Sequence, residues 1–393
     1  MSEYVICNNC ETVTQEEELG LFEDTDGLLK GCPVCKTDYY LMDINITPKG
    51  ATLMSSKTIN YKHNGLFFGK RNIARLDLNT NERIANFKNA LQSQMWLPSD
   101  FDIATDAVPF ALMNEQRRVQ YLKNLKFQTM ADSLATRAIV ECFLKITSDP
   151  ELESYWIWHS FTENIHSQSY ADIIKALPVD ASKEFDTILD DDNIMNRSKT
   201  ILQHFDNIVE NPNKETLLLG LFALVVLEGA LFQASFVTSY AFAEEHNMTE
   251  TGKVIQRIDL DENVHLAVGK YLIKQLLKEE DYQEIYKENL PTILGMFKYA
   301  LSTDEDWADY VLDVPLRKLN SDSMKQYIRY NMYELMNYLK LPNIVNKTTN
   351  PFTWLTKYKN TKNLQISLNE TSGTNYLLGA LNKEVDIKTL FGD

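Results

Sequence analysis

Two Glu-x-x-His motifs stand in this chain, Glu163-Asn164-Ile165-His166 and Glu262-Asn263-Val264-His265. On a helix, residues three apart share a face, so each motif points one carboxylate and one imidazole at the same spot. Two such helices, with one carboxylate from each of two more, make the ligand set of a dinuclear iron or manganese site in a helical bundle. Asp132 and Glu228 supply the two remaining carboxylates. Taken singly, such a pair is more often a solvated surface pair than a ligand. Here Glu163 and His166 lie among Trp156, Ile157, Trp158, Phe161 and Ile165, and Glu228 is at the centre of the most apolar segment. A carboxylate buried there needs a charge partner or a metal. Carboxylate oxygens with two imidazoles suit iron or manganese better than a thiolate-rich zinc site. The chemistry of such a centre is oxygen activation.

Tyr170 extends the first motif, since Glu163, His166 and Tyr170 form one stripe at i, i+3 and i+7. A phenol beside a metal pair can be oxidised by what O2 generates there; the plain alternative is a core tyrosine bonded to a neighbour. His159, four residues before Glu163, reads as a core histidine, or one supporting a ligand, rather than a ligand itself. His63, His204 and His246 are the remaining histidines.

The elements that must position these groups are helical. Periodicity predicts helices over 82–95, 114–147, 150–177, 181–209, 214–246, 250–279, 283–302 and 320–339, with caps such as Ser148-Asp149-Pro150 and Asn211-Pro212-Asn213. β signals are few. The fold class expected is all-α, a ferritin-like bundle with a dinuclear site. The segment 217–243 carries a single charge, Glu228, and is long enough to span a bilayer. A lone central carboxylate and the polar Glu244-Glu245-His246 that follows favour a core helix buried on all sides. No membrane association is expected. The net charge of -16 repels phosphate backbones, so nucleic acid is not an expected partner. No signal-peptide pattern is visible, and a cytoplasmic location is expected.

Cys7, Cys10, Cys32 and Cys35 form two Cys-x2-Cys pairs, with Gly27, Gly31 and Pro33 as turn residues. Four thiolates can close a tetrahedral site and stabilise a module too small for its own core. Residues 1–45 are expected to be a zinc-ribbon-like module; a rubredoxin-like iron centre passing electrons is the sharper alternative. Residues 46–345 form the bundle domain, and 346–393 an extended tail. Cys142 reads as a small buried hydrophobe.

From about residue 52 onward, some seven-eighths of the chain, the sequence resembles the small, radical-generating (beta) subunit of class I ribonucleotide reductase. The resemblance is carried by Gly65-Leu66-Phe67-Phe68-Gly69, Asn72-Ile73-Ala74-Arg75, Met95-Trp96-Leu97-Pro98 and Asn124 through Ser133. It continues in Glu163 through Tyr170, Leu227-Glu228-Gly229-Ala230, Phe242-Ala243-Glu244 and Asp261 through His265. It implies that Asp132, Glu163 and His166 hold one metal, and Glu228, Glu262 and His265 the other. Tyr170 would carry a stable radical, walled by Phe232, Phe236 and Ile258. Trp96 would deliver the extra electron during assembly, and Asp261 would link Trp96 to His166. Tyr376, with Glu370 upstream, would relay the radical, and Leu390-Phe391 would dock on the large (alpha) subunit. The function implied is the beta subunit of ribonucleoside-diphosphate reductase, with two iron ions per subunit, manganese fitting less well, and one zinc or rubredoxin-type iron in the four-Cys module. A homodimer, and an electron donor for the metal site, are also expected.

The four-Cys module lies outside the common family pattern, and the connector between Tyr170 and Glu228 is shorter than in the longer bacterial members of the family. The presence of Tyr170 argues against the subclass with a mixed-metal centre in place of the tyrosine. Two rival readings are a di-iron oxidase acting directly on a lipid or amine, and a metal-binding scaffold without chemistry. The first predicts activity without a partner, and the second metal uptake without a radical.

Overall fold

In the computed structural model, residues 57–359 are described in full, with the backbone of five short strands nearer the N-terminus. The chain divides into two compact units, 1–80 with 146–153, and 81–145 with 154–393. In the first, β1 (Tyr4–Cys7) pairs antiparallel with both β2 (Val13–Gln15) and β5 (Leu41–Asp43), and β3 (Gly20–Asp24) pairs with β4 (Gly27–Gly31). The register sets Ile6 opposite Val13 and Met42. Farther along the same unit, the segment around Phe67 is pinned by Phe68 N–H donating to the Ile146 carbonyl and Ser148 N–H to that of Leu66, both at 2.9 Å.

The second unit is helical. Its elements are α1 (Glu82–Ser93), α2 (Ala107–Leu112), α3 (Glu115–Ala138), α4 (Pro150–Ala176, entering from the first unit), α5 (Ala181–Asp186), α6 (Asp192–Glu210), α7 (Lys214–Val226), α8 (Phe232–His246), α9 (Thr249–Leu276), α10 (Glu280–Val311), α11 (Ser321–Tyr338) and α12 (Thr356–Lys359). Asparagine starts many of them: Asn81, Asn114, Asn213 and Asn320 each accept from backbone N–H groups of the first turn. The predicted helix over 181–209 is split. The Asp191 carboxylate accepts from Asn193 and Ile194 N–H and starts α6 afresh. α10 runs past 302 because Asp304, Trp307, Ala308 and Val311 all turn inward. α2 had no counterpart in the periodicity.

The apolar segment is a core helix. The helical stretch Lys214–His246 is apolar enough to cross a membrane, yet its most apolar window is entirely buried among its neighbours. Between α7 and α8 its hydrogen bonding loosens to a π turn, Leu227–Leu231, which carries Glu228. α9 lies tight against this rod. A Cβ on Gly252 would come within 2.8 Å of Ala243 Cβ, and one on Gly269 within 2.7 Å of Val225 Cγ2. These close approaches bring the α9 motif up to Glu228.

A buried ion pair braces the π turn from the other side. Arg197 of α6 donates through Nε to Asp304 Oδ1 at 2.7 Å, through Nη1 to Ser235 Oγ at 2.9 Å, and through Nη2 to the Leu231 carbonyl at 2.5 Å. Its guanidinium lies 3.8 Å from the Phe127 ring centroid and 4.7 Å from that of Trp307. Breaking such a pair strands a charge in the core, whereas replacing both partners with apolar groups removes the problem. Arg197→Met is expected to cost about 3–5 kcal/mol. Arg197→Met combined with Asp304→Leu is expected to cost less than the single change, read as urea midpoints at equal slope.

Candidate metal centre

Four helical segments converge on one fully buried space. α3 supplies Asp132; α4 supplies Glu163, His166 and Tyr170; the π turn supplies Glu228; α9 supplies Asp261, Glu262 and His265. Asp132, Glu163, His166, Glu228, Glu262 and His265 all have no exposure. The two motifs interlock. His166 Nδ1 lies 3.5 Å from Glu163 Oε2 on its own helix and 3.1 Å from Glu262 Oε1 across the gap. His265 Nδ1 lies 3.5 Å from Glu262 Oε2 and 3.1 Å from Glu163 Oε1. Asp132 Oδ2 is 3.7 Å from His166 Nδ1.

The donors fall into two groups. Asp132, Glu163, His166 and Glu262 each bring one ligand-type atom to within 4.8 Å of the others, and so do His159, Glu163, Glu228 and His265. Glu163 is common to both. The expected six residues are therefore brought together. Glu262 groups with Asp132, Glu163 and His166, although its Oε2 also reaches His265. His159 enters the second group. Its spacing was the available signal, because 159, 163, 166 and 170 continue one stripe of α4 at i, i+4, i+7 and i+11.

The donor set fits a pair of cations. Both oxygens of Asp132, Glu228 and Glu262, with Glu163 Oε2, are buried and make no hydrogen bond of adequate geometry, and the same holds for Nδ1 of His166 and His265. Buried polar atoms are otherwise almost always paired. Burial, then the charge of neighbouring carboxylates, pushes Asp132 and Glu228 well above the usual carboxylate range. Burial opposes charge on His265, but Glu262 and Glu163 outweigh it and lift this imidazole to about 9. Carboxylates this close hold protons unless a cation replaces them, so metal binding here displaces protons.

The supporting hydrogen bonds set the tautomers. Asp261 Oδ2 accepts from Trp96 Nε1–H at 2.9 Å and faces His166 Nε2 at 3.0 Å, while its Oδ1 accepts from Gln94 Nε2 at 2.7 Å. A carboxylate between two nitrogens requires both to be donors, which leaves the His166 Nδ1 lone pair turned to the donor cluster. Thr162 Oγ1 donates to the His159 carbonyl at 2.8 Å and stands 2.9 Å from His265 Nε2. Having spent its proton, the hydroxyl accepts from Nε2–H, and His265 Nδ1 is likewise free to bind.

Tyr170 is fully buried, its hydroxyl makes no hydrogen bond of adequate geometry, and Asp132 lies beside it. Burial, then the charge of Asp132, holds this phenol protonated well above its ordinary range. Phe232, Phe236 and Ile258 are fully buried. Trp96 is buried, its ring stacked on that of His166 at 6.1 Å between centroids. Burial and the charge of His265 push His159 down to about 3. Cys142 is a free, buried thiol. Cys10, Cys32, Cys35, Glu370, Tyr376, Leu390 and Phe391 lie outside the described residues, as does the side chain of Cys7.

The description "Ribonucleotide reductase, small chain" belongs to the family model that matches residues 78–351. The ribonucleoside-diphosphate reductase subunit beta of Buchnera aphidicola subsp. Baizongia pistaciae is 29% identical, the match covering 85% of this chain and 97% of that protein. The ribonucleoside-diphosphate reductase 1 subunit beta of Escherichia coli O157:H7 is 29% identical, over 83% and 94%. Among solved structures, the ribonucleotide reductase R2 subunit from Clostridium botulinum superposes with a TM-score of 0.67 at 22% identity, covering 78% of this chain and 98% of that one. The likeness extends through the whole donor-bearing part of the helical unit, and this chain belongs to the ribonucleotide reductase small-chain family.

Proposed function

We propose that this chain is the radical-generating beta subunit of a ribonucleoside-diphosphate reductase, holding two iron ions and a radical on Tyr170. The observation that carries this reading is the meeting of two Glu-x-x-His motifs with unpartnered Asp132 and Glu228 beside a buried phenol. Asp132, Glu163, His166, Glu228, Glu262 and His265 would hold the metals. The bound metal pair, with O2, supplies the oxidising equivalent. Tyr170 gives up one electron and its hydroxyl proton, and Asp132 beside it is the proton acceptor. The apolar side chains of Phe232, Phe236 and Ile258 exclude water and reductants, which lengthens the life of the phenoxyl.

Asp261 works through others. It fixes the His166 tautomer and ties that ring to Trp96, which serves as the entry point for the extra electron. In the tail, Tyr376 relays the radical, and Leu390-Phe391 docks on the large subunit, where the nucleotide is reduced. Members of the family work with a large subunit and usually form dimers; this chain acts as a homodimer. The four cysteines, Cys7, Cys10, Cys32 and Cys35, hold one zinc, or one iron in a rubredoxin-like centre. Iron at the main site is supported by the two imidazoles among its donors.

Fe(II) and O2 added to metal-free full-length protein are expected to give a tyrosyl EPR signal that is absent from Tyr170→Phe. Iron uptake in the wild type with no radical refutes the reading. Asp261→Ala leaves the N–H groups of Trp96 and His166 unpaired. It is expected to lower metal affinity about 10–100-fold, measured by anaerobic Mn(II) titration calorimetry.

A further inference from the structure

One buried imidazole faces the donor cluster without belonging to the six residues assigned above. His159 lies one helical turn before Glu163 on α4 and is fully buried. Its Nε2 is 3.2 Å from Glu163 Oε1 and 3.3 Å from Glu228 Oε1. Glu163 Oε1 is in turn 3.1 Å from His265 Nδ1. Ligands at right angles on one first-row ion, with bonds of about 2.0–2.2 Å, stand about 3 Å apart. These four donor atoms are therefore spaced like neighbouring ligands of a single ion.

The ring is held in that attitude. Its centroid lies 3.6 Å from that of His265, with the planes 20° apart, and 5.6 Å from that of Trp156. Its Nδ1 is 3.3 Å from the hydroxyl oxygen of Tyr155, another fully buried side chain. Nδ1–H donated to that oxygen leaves the Nε2 lone pair pointing between Glu163 and Glu228. Nε2 is within hydrogen-bond geometry of Glu163 Oε1, whereas Glu228 has no hydrogen bond of adequate geometry on either oxygen, and a cation between the three atoms satisfies all of them at once.

We infer that His159 is a further metal ligand, binding through Nε2 the ion that it shares with Glu163, Glu228 and His265. The inference rests on the dinuclear reading of the site and deepens it. One ion then has a single imidazole, from His166, with Asp132, Glu163 and Glu262. The other has two, from His159 and His265. Imidazole nitrogen favours iron, whereas manganese is better served by carboxylate and water oxygens. The two positions therefore differ in metal preference, and the His159 position is the more selective for iron.

The test uses full-length metal-free protein. Wild type and His159→Gln are titrated anaerobically with Fe(II) and, separately, with Mn(II), and the Fe(II)-loaded wild type is crystallised. The expected result is an iron–Nε2 bond to His159 in the crystal. With it, the second Fe(II) equivalent weakens about 10–100-fold in the variant, Mn(II) weakens less, and the first equivalent is unchanged. An imidazole whose Nε2–H donates to Glu228, with no bond to iron, overturns the inference even if the variant fails to fold. Two Fe(II) bound equally tightly by wild type and variant also overturns it. A wild type that takes up fewer than two ions refutes the dinuclear reading itself, and is told apart by its stoichiometry.

Discussion

Four carboxylates meet in a space closed to bulk solvent, and most of the helical unit's architecture answers to that one electrostatic problem. Asp132, Glu163, Glu228 and Glu262 have no exposure, and seven of their oxygens lack an adequate hydrogen bond. Their mutual repulsion is tolerable only with protons or cations in the gap. The carboxylates cannot relax apart, because each is anchored on a different buried helix or, for Glu163, interlocked with both histidines. The centre is thus preorganised by packing, and its charge is completed by what binds.

The rest of the helical unit serves that convergence. The glycine contacts at Gly252 and Gly269 let α9 approach the apolar rod closely enough for its motif to reach Glu228. The Arg197–Asp304 pair holds the Leu231 carbonyl at the end of the π turn, so a charge that is not itself a donor fixes the backbone that aims one of them. Three buried polar side chains near the donors have a positional task. Asp261 orients His166, Thr162 orients His265, and Tyr155 is placed to orient His159.

Much of this was legible in the sequence, because helical spacing converts directly into shared faces. The two motifs, the apolar setting of Glu228 and the stripe running to Tyr170 needed only that periodicity. What stayed hidden depends on choices that residue types do not encode. Nothing in Leu227-Glu228-Gly229-Ala230-Leu231 signals a π turn, since the same residues suit an α-helix. The sharing of Glu163 between two donor groups, and the placing of Glu262 with Asp132 and His166, depend on side-chain torsions set by tertiary packing. The break before α6 was readable in principle, as Asp191 is a good cap, but the apolar pattern on either side masked it. His159, read as a core histidine or one supporting a ligand, is buried as expected, but its closeness to Glu228 and His265 depends on partner helices that spacing along α4 does not reveal.

The buried rod from Lys214 to His246 also has a consequence for the order of events in synthesis. Three of the helices that cover it, α9, α10 and α11, follow it in the chain, so it leaves the ribosome before they exist. Until α9 arrives only α3 and α6, which precede the rod, can cover it, and the face that α9, α10 and α11 will take stays exposed with its lone acid, the kind of surface that recruits chaperones and invites aggregation. The same delay leaves Asp132, Glu163 and Glu228 without Glu262 and His265, so the donor set is complete only when the segment that shields the rod is also in place.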